Sequence, residues 1–291
     1  MTVRVAIAGP LSGPRGAYGR LIANTVGSWM NRVGLQCTLF DDGASPPVAM
    51  SVADAIVKGR FEAVVGHFNS NCAMAVRPVY SAARVPLILP AATAPGLADG
   101  IHSFCLCADE TYQVQRILEF ARAYRRSPLY MWSDGTLYGE RISACMEAMR
   151  GSGFLRIASL DEVDPISNGL VVCLGHCEKI MKAVGAHRRR LERSVLLCCD
   201  DCFIEDFIRV NHPSVFVCGP WMPFPDLLRR ALEVVDSALV KKEAPIASLF
   251  DATGRYRGAD FFVYRVHREG FRRVDDSIEP KGTGSRTTGV N

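Results

Sequence analysis

Apolar residues along the chain alternate between short continuous runs and helically spaced stripes. Residues 3–8 (Val-Arg-Val-Ala-Ile-Ala) read as a strand. A Gly/Pro-rich turn follows, then Ile22, Val26, Trp29, Met30 and Val33 at helical spacing. Residues 35–40 read as a second strand ending at Asp41 and Asp42. Ser45 is placed as an N-cap with Pro46 at the first helical position, and Val48, Val52 and Ile56 as the buried stripe. Residues 63–68, 85–89 and 103–107 give three more strands, with a helix beginning near Ser70.

The rhythm then restarts. Val114, Ile117, Leu118 and Ala121 mark a helix, residues 129–132 a strand, and Ile142, Cys145, Met146 and Met149 a helix closed by Gly151 and Gly153. Strands at 170–174, 195–198 and 215–218 follow, with a helix around Ile180, Met181 and Val184. Strands separated by helices imply βαβ units and parallel sheets. Two such blocks predict an α/β protein of two Rossmann-like lobes, each a parallel sheet flanked by helices. One lobe takes residues 1–108 plus about 222–247, and the other 109–221 plus about 250–274. The helix 227–239 is expected in the first and the strand 261–266 in the second. The polar, Gly/Ser/Thr-rich tail 275–291 is expected to be disordered. Ligands of open α/β sheets sit beyond the carboxyl ends of the strands, so strand-to-helix loops should line the site.

Composition narrows the function. Hydrophobic residues make up 48% and charged residues 22% of the chain, as in folded proteins. The net charge of +4 comes from 34 basic and 30 acidic residues that are interspersed, which argues against nucleic acid as a partner. No stretch reaches the ~18 apolar residues of a membrane span, so no membrane insertion is expected. The eleven cysteines are odd in number and lie in apolar contexts, which suits core thiols in a reducing compartment. Met1 and Thr2 lead at once into a strand, leaving no room for a signal segment. A cytoplasmic location is expected, with the periplasm as the alternative if a signal peptide has been removed.

The loops carry a resemblance. Ala8-Gly9-Pro10-Leu11-Ser12-Gly13-Pro14 with Tyr18-Gly19, Asp41-Asp42, Gly66-His67-Phe68-Asn69-Ser70, Pro90-Ala91-Ala92-Thr93 and Tyr138-Gly139-Glu140 stand in order and register. Together they resemble a shortened member of the type I periplasmic binding proteins, the branched-chain (Leu/Ile/Val) amino-acid-binding family, which is related to bacterial amide sensors. The resemblance implies two lobes that close on a small ligand without catalysis. It places Ser70, Ala91 and Thr93 on the wall that holds a ligand carboxylate, where the N-terminus of a helix also favours an anion. It places Tyr138 as a lid from the second lobe, and Asp200 as the carboxylate that receives a ligand ammonium, with Asp201 standing in if the loop shifts by one. The family's aromatic position in the second lobe falls on His176. Where some exported members carry a cysteine pair, this chain has Ala44 and Asn69.

The expected function is therefore non-enzymatic binding of an amino acid, amide or similar small polar molecule, for ABC transport or cytosolic sensing. An ABC permease or a regulatory protein would be the partner, and no cofactor is expected. The alternative is a shortened accessory or interaction protein that kept the fold and lost the ligand. Cys177, Cys199, Cys202 and His176 form an alternative soft-metal set, because thiols and imidazole on adjacent loops suit zinc. Arg188, Arg189, Arg190 and Arg193 read as cations at a helix C-terminus, with an acidic partner as the other reading.

Overall fold

The computed structural model describes residues 2–30, 32–149, 153–210 and 212–274. The first block runs β1 (Val3–Gly9), α1 (Gly16–Gly27), β2 (Leu35–Asp41), α2 (Pro46–Lys58), β3 (Ala63–Gly66), α3 (Ser70–Ala82), β4 (Leu87–Leu89) and β5 (Ser103–Cys105). Its strands form one parallel sheet in the order β2-β1-β3-β4-β5. The second block runs α4 (Glu110–Tyr124), β6 (Leu129–Ser133), α5 (Leu137–Ala148), β7 (Leu155–Ile157), β8 (Leu170–Leu174), α6 (Cys177–Ala186), α7 (Arg188–Leu191), β9 (Val195–Cys198) and β10 (Val215–Pro220). After α8 (Phe224–Val235), the chain adds β11 (Phe261–His267) and β12 (Gly270–Arg273). The second sheet has the order β12-β11-β10-β9-β8-β6-β7, antiparallel only at its two β11 pairings. The fold is thus α/β with two helix-flanked sheets.

The central strands are buried along their whole length, as in β3, β8 and β9. Strands covered by helices on both faces carry continuous apolar runs rather than alternation. The chain passes between the sheets before α4, after β10 and before β11. Helix α8 returns to the first sheet, where it packs against α1 and β3. The segment before β11 then runs beside β5, with the Cys105 N–H donating to the Gly254 carbonyl at 2.9 Å and the Tyr256 N–H to the Cys105 carbonyl at 2.8 Å.

Three local expectations are corrected. Helix α1 stops at Gly27, so Met30 and Val33 are exposed although their spacing continues the stripe. In α2 the buried stripe is Ala49, Ala53 and Ile56, one position from Val48, which is exposed. Small alanines let α2 lie close against α3, a packing that hydrophobicity alone does not show. The helix expected over 227–239 becomes α-helical three residues earlier and ends at Val235, passing into a π-helical turn, Asp236–Val240. There the buried Asp236 carboxylate accepts from Arg32 Nη2 at 2.6 Å. Gly151, read as a helix stop, and the tail 275–291, read as disordered, lie outside the described residues.

Candidate functional site

The carboxyl ends of both sheets face one cavity. It leaves about 90 Å3 in which the centre of a water-sized sphere fits, room for several waters or one small organic molecule. Ser70, Ala91, Thr93, Tyr138, His176 and Asp200 all line it. The structure therefore brings the six sequence-derived residues together from loops of both blocks.

On the first wall, Gly66 ends β3 with a φ of +115°, where a side-chain Cβ would meet the Ala8 carbonyl oxygen at 1.9 Å. Only glycine allows β3 to approach β1 so closely in that conformation. The next residue, His67, is fully buried, with Nδ1 2.7 Å from Asp42 Oδ2 and Nε2 3.1 Å from the Tyr80 hydroxyl. This polar group ties the loop before α3 to the loop after β2 and to α3 itself. Asn69, the N-cap of α3, makes no side-chain capping bond, so the first-turn N–H groups of α3 are not capped by it. The Ser70 Oγ accepts the N–H groups of Thr93 and Ala94, each at 3.2 Å. Its acceptor capacity is thereby used within the protein, and its own O–H is left to donate. Thr93 is nearly fully buried, with its hydroxyl 3.5 Å from Glu110 Oε1.

The second wall is built from α5 and the loops after β8 and β9. Thr136 caps α5 by accepting the Gly139 N–H at 3.2 Å, which sets Tyr138 in the first turn. Its ring lies near that of His176, at 6.1 Å between centroids and almost parallel. The Tyr138 hydroxyl donates to Asp200 Oδ1, which also accepts from Gln113 Nε2 at 2.8 Å. Burial pushes the Asp200 carboxyl up to about 7; the Tyr138 and Gln113 bonds oppose that rise, and the nearby Asp201 and Glu110 charges add to it. Burial likewise holds the Tyr138 hydroxyl well above its ordinary range, so it stays a neutral donor.

Asp201 is differently placed. Its carboxylate accepts both Nη atoms of Arg15, at 2.5 and 2.7 Å, and the Cys177 N–H at 2.7 Å. Burial alone would raise this group, but Arg15 and the Cys177 N–H hold it below the usual carboxylate range. Asp201 is thus committed, and cannot serve as a second ammonium acceptor without losing Arg15. Arg15 also reaches Glu178 at 3.3 Å and lies over the Tyr18 ring at 4.5 Å. Tyr18 in turn donates to Asp201 Oδ1 at 3.1 Å. A second cross-cleft contact starts from Glu110, which holds Arg141 in a two-pronged pair at 2.6 Å each while Arg141 reaches Asn71 Oδ1 at 3.4 Å. Phe68, Phe203, Ile204, Phe224 and Leu227 make the apolar part of the lining.

Arg15, Tyr18, Gln113, Glu110 and Arg141 were missing from the sequence-derived set. Arg15 and Tyr18 follow β1, so the rule that strand-to-helix loops line the site could have found them. In the alternative metal set, Cys177, Cys199 and Cys202 are buried, and the Cys199 thiol donates to the Gly175 carbonyl at 3.1 Å. The His176 ring instead lines the cavity beside Tyr138. Among the described residues, no group of three or more His, Cys, Asp or Glu is arranged to hold a metal ion. No helix among them is long and apolar enough to cross a membrane. All eleven cysteines are unpaired.

Residues 2–150 match the sequence profile of a family described as periplasmic binding protein. The leucine-, isoleucine-, valine-, threonine- and alanine-binding protein of Pseudomonas aeruginosa is 33% identical over 103 residues, 32% of this chain and 28% of that protein. The Leu/Ile/Val-binding protein of Escherichia coli is 32% identical over 104 residues, 33% of this chain and 28% of that protein. The match thus spans less than a third of either relative. Among solved structures, the branched-chain amino acid transporter substrate-binding protein LivJ of Streptococcus pneumoniae, in complex with isoleucine, superposes with a TM-score of 0.78 at 16% identity. That superposition covers 94% of this chain and 99% of LivJ. The leucine-binding protein LivK of Thermotoga maritima gives 0.77 at 15% identity, covering 94% and 98%.

Proposed function

The chain belongs to the periplasmic binding protein family, and from that premise we propose that its cavity binds an amino acid or a related amide, without catalysis, between two lobes that close on it. The lobes of this reading are residues 1–108 with about 222–247, and 109–221 with about 250–274. The observation that carries the reading is the polarity of the cavity. Ser70 and the first turn of α3 offer hydrogen-bond donors on one wall, and Asp200 offers a carboxylate on the other. A zwitterion fits such a pair of walls, since an anion gains from a helix N-terminus and an ammonium from a buried carboxylate. Phe68, Phe203, Ile204, Phe224 and Leu227 support an aliphatic substituent between them. The liganded protein would serve an ABC permease or a regulatory partner.

A thermal-shift screen over branched-chain amino acids and their amides tests the reading, because a ligand that binds only the native state raises the melting temperature. No shift and no saturable heat of binding with any of them would favour an accessory protein that lost its ligand. With a ligand in hand, Ser70→Ala and Thr93→Ala should each weaken binding by about 1–2 kcal/mol, the cost of leaving a buried partner unsatisfied. Unchanged affinity in both variants would move the ligand elsewhere.

The compartment belongs to the same reading. The family's name refers to the periplasm, whereas the unpaired thiols support a cytoplasmic, reducing setting. Ten of the eleven cysteines are buried and Cys145 is half-buried. Titration of the denatured, unreduced protein is expected to find all eleven thiols, while the native protein reacts slowly. Recovery of paired cysteines would move the protein to an oxidising compartment.

A further inference from the structure

At the opposite end of the second sheet from the cavity, a groove opens between α7, the segment before β10 and the end of β11. By the same measure as the cavity it offers about 690 Å3. Cavity residues follow β9 and close β10, whereas the groove residues His212 and Pro213 precede β10 and His267 closes the antiparallel β11. The two sites therefore occupy opposite poles of one lobe.

Arg188 and Arg189 rise from α7 on one side, and Arg265 and Arg268 from β11 and its hairpin on the other. All four are exposed, and among the described residues none takes part in an ion pair. Among the described residues, Glu192 is the one acidic residue lining the groove. His212 also lines the groove, with its Nε2 facing the Leu191 carbonyl at 2.8 Å and its Nδ1 facing the Ser214 N–H at 3.2 Å. The neighbouring acid Asp161 faces His187 and Arg190 instead. In a chain whose charges otherwise nearly balance, four unpaired guanidinium groups around one concavity repel one another, and an anionic partner relieves that repulsion.

The aliphatic lining residues Ile208, Val210, Val215 and Val266 are buried or half-buried and form the floor of the groove, with the exposed Pro213 beside them. A membrane surface is too flat to enter such a concavity. Among the described residues the lining also holds no Phe, Tyr or Trp on which bases could stack, in contrast to single-strand binding sites. Carboxylates at the rim with aliphatic side chains on the floor match an acidic peptide. We propose that this groove docks an acidic, aliphatic-containing segment of a protein partner, leaving the ligand cavity unobstructed.

The proposal is tested with the full chain and a fluorescein-labelled peptide of glutamates interspersed with leucines, followed by anisotropy. Saturable binding that weakens with added salt is expected. Arg188→Glu with Arg189→Glu, and separately Arg265→Glu with Arg268→Glu, should each weaken it about tenfold or more at an unchanged melting temperature. A peptide of glutamates alone should bind several-fold more weakly for want of the apolar floor contact. The proposal is overturned by no binding or by reversal variants that bind as wild type. Equal or tighter binding of the all-glutamate peptide, a single-stranded DNA oligonucleotide or phosphatidylglycerol vesicles would also overturn it.

Discussion

Replacing Arg15 with alanine is expected to release the two lobes from one another. Arg15 belongs to the loop after β1 and is 8% exposed, yet its partners Asp201 and Glu178 belong to the second block. Removing one member of a buried ion pair costs about 3–5 kcal/mol, because the partner is left desolvated and uncompensated. Here the protein has an escape that a core pair lacks. If the lobes part, water reaches Asp201 and most of that cost disappears. The loss should therefore appear as a larger radius of gyration in solution scattering, with a smaller fall in melting temperature. Arg15→Lys keeps the charge but not the two-pronged geometry, and should fall between. The double variant Arg15→Ala with Asp201→Asn removes the stranded charge as well, so it should recover part of the closed population.

The same contact has a defined pH range. Asp201 is held below the ordinary carboxylate range in the folded protein, so its contribution is fully present above the unfolded value of about 3.9 and is lost as the pH falls through the folded value. Closure by this pair is thus insensitive to pH near neutrality. A scattering profile for Arg15→Ala that superposes on wild type would show that the lobes are held by other contacts.

The two-sheet architecture was legible because buried parallel strands write themselves as uninterrupted apolar runs, such as the Leu170–Leu174 and Val195–Cys198 segments. The cavity walls were reachable for a related reason, since loops after such strands converge at one end of the sheet. What the sequence could not show is pairing across long separations. Arg15 and Asp201 lie 186 positions apart, and Gln113 and Asp200 lie 87 apart. Nor does a sequence separate two neighbouring acids. Asp200 and Asp201 open the same 3-10 turn, yet one faces Tyr138 and Gln113 while the other is claimed by Arg15. The helix stripes failed where small residues do the packing, because Ala49 and Ala53 carry little hydrophobic signal. The exposed end β12 and the short β7 escaped notice because neither has a buried face long enough to set a period.

Affinity for an amino acid should fall as the solution is acidified, and Asp200 should be the cause. A carboxyl raised to about 7 holds a proton that the unfolded chain has already released, so the unliganded protein loses stability as the pH rises from about 4 to about 7. A ligand ammonium reverses the preference, since it pairs only with the ionised form and expels the proton. Affinity should therefore be level above about pH 7 and fall by roughly tenfold for each unit below it. Binding at about pH 6 should release nearly one proton, and at pH 7 about half of one, seen by calorimetry as a heat that changes with the buffer's ionisation enthalpy. Asp200→Asn should weaken amino-acid binding by about 3 kcal/mol or more, as for any buried charge left without its partner. It should also flatten the pH profile, which general damage to the lobe would not do. The matching carboxylate without the amino group has no ammonium to lose, so its affinity should change little in the variant and show none of the acid-side fall. Equal losses for both ligands, with the pH profile intact, would make Asp200 a structural anchor for Tyr138 and Gln113 and leave the ammonium to another group.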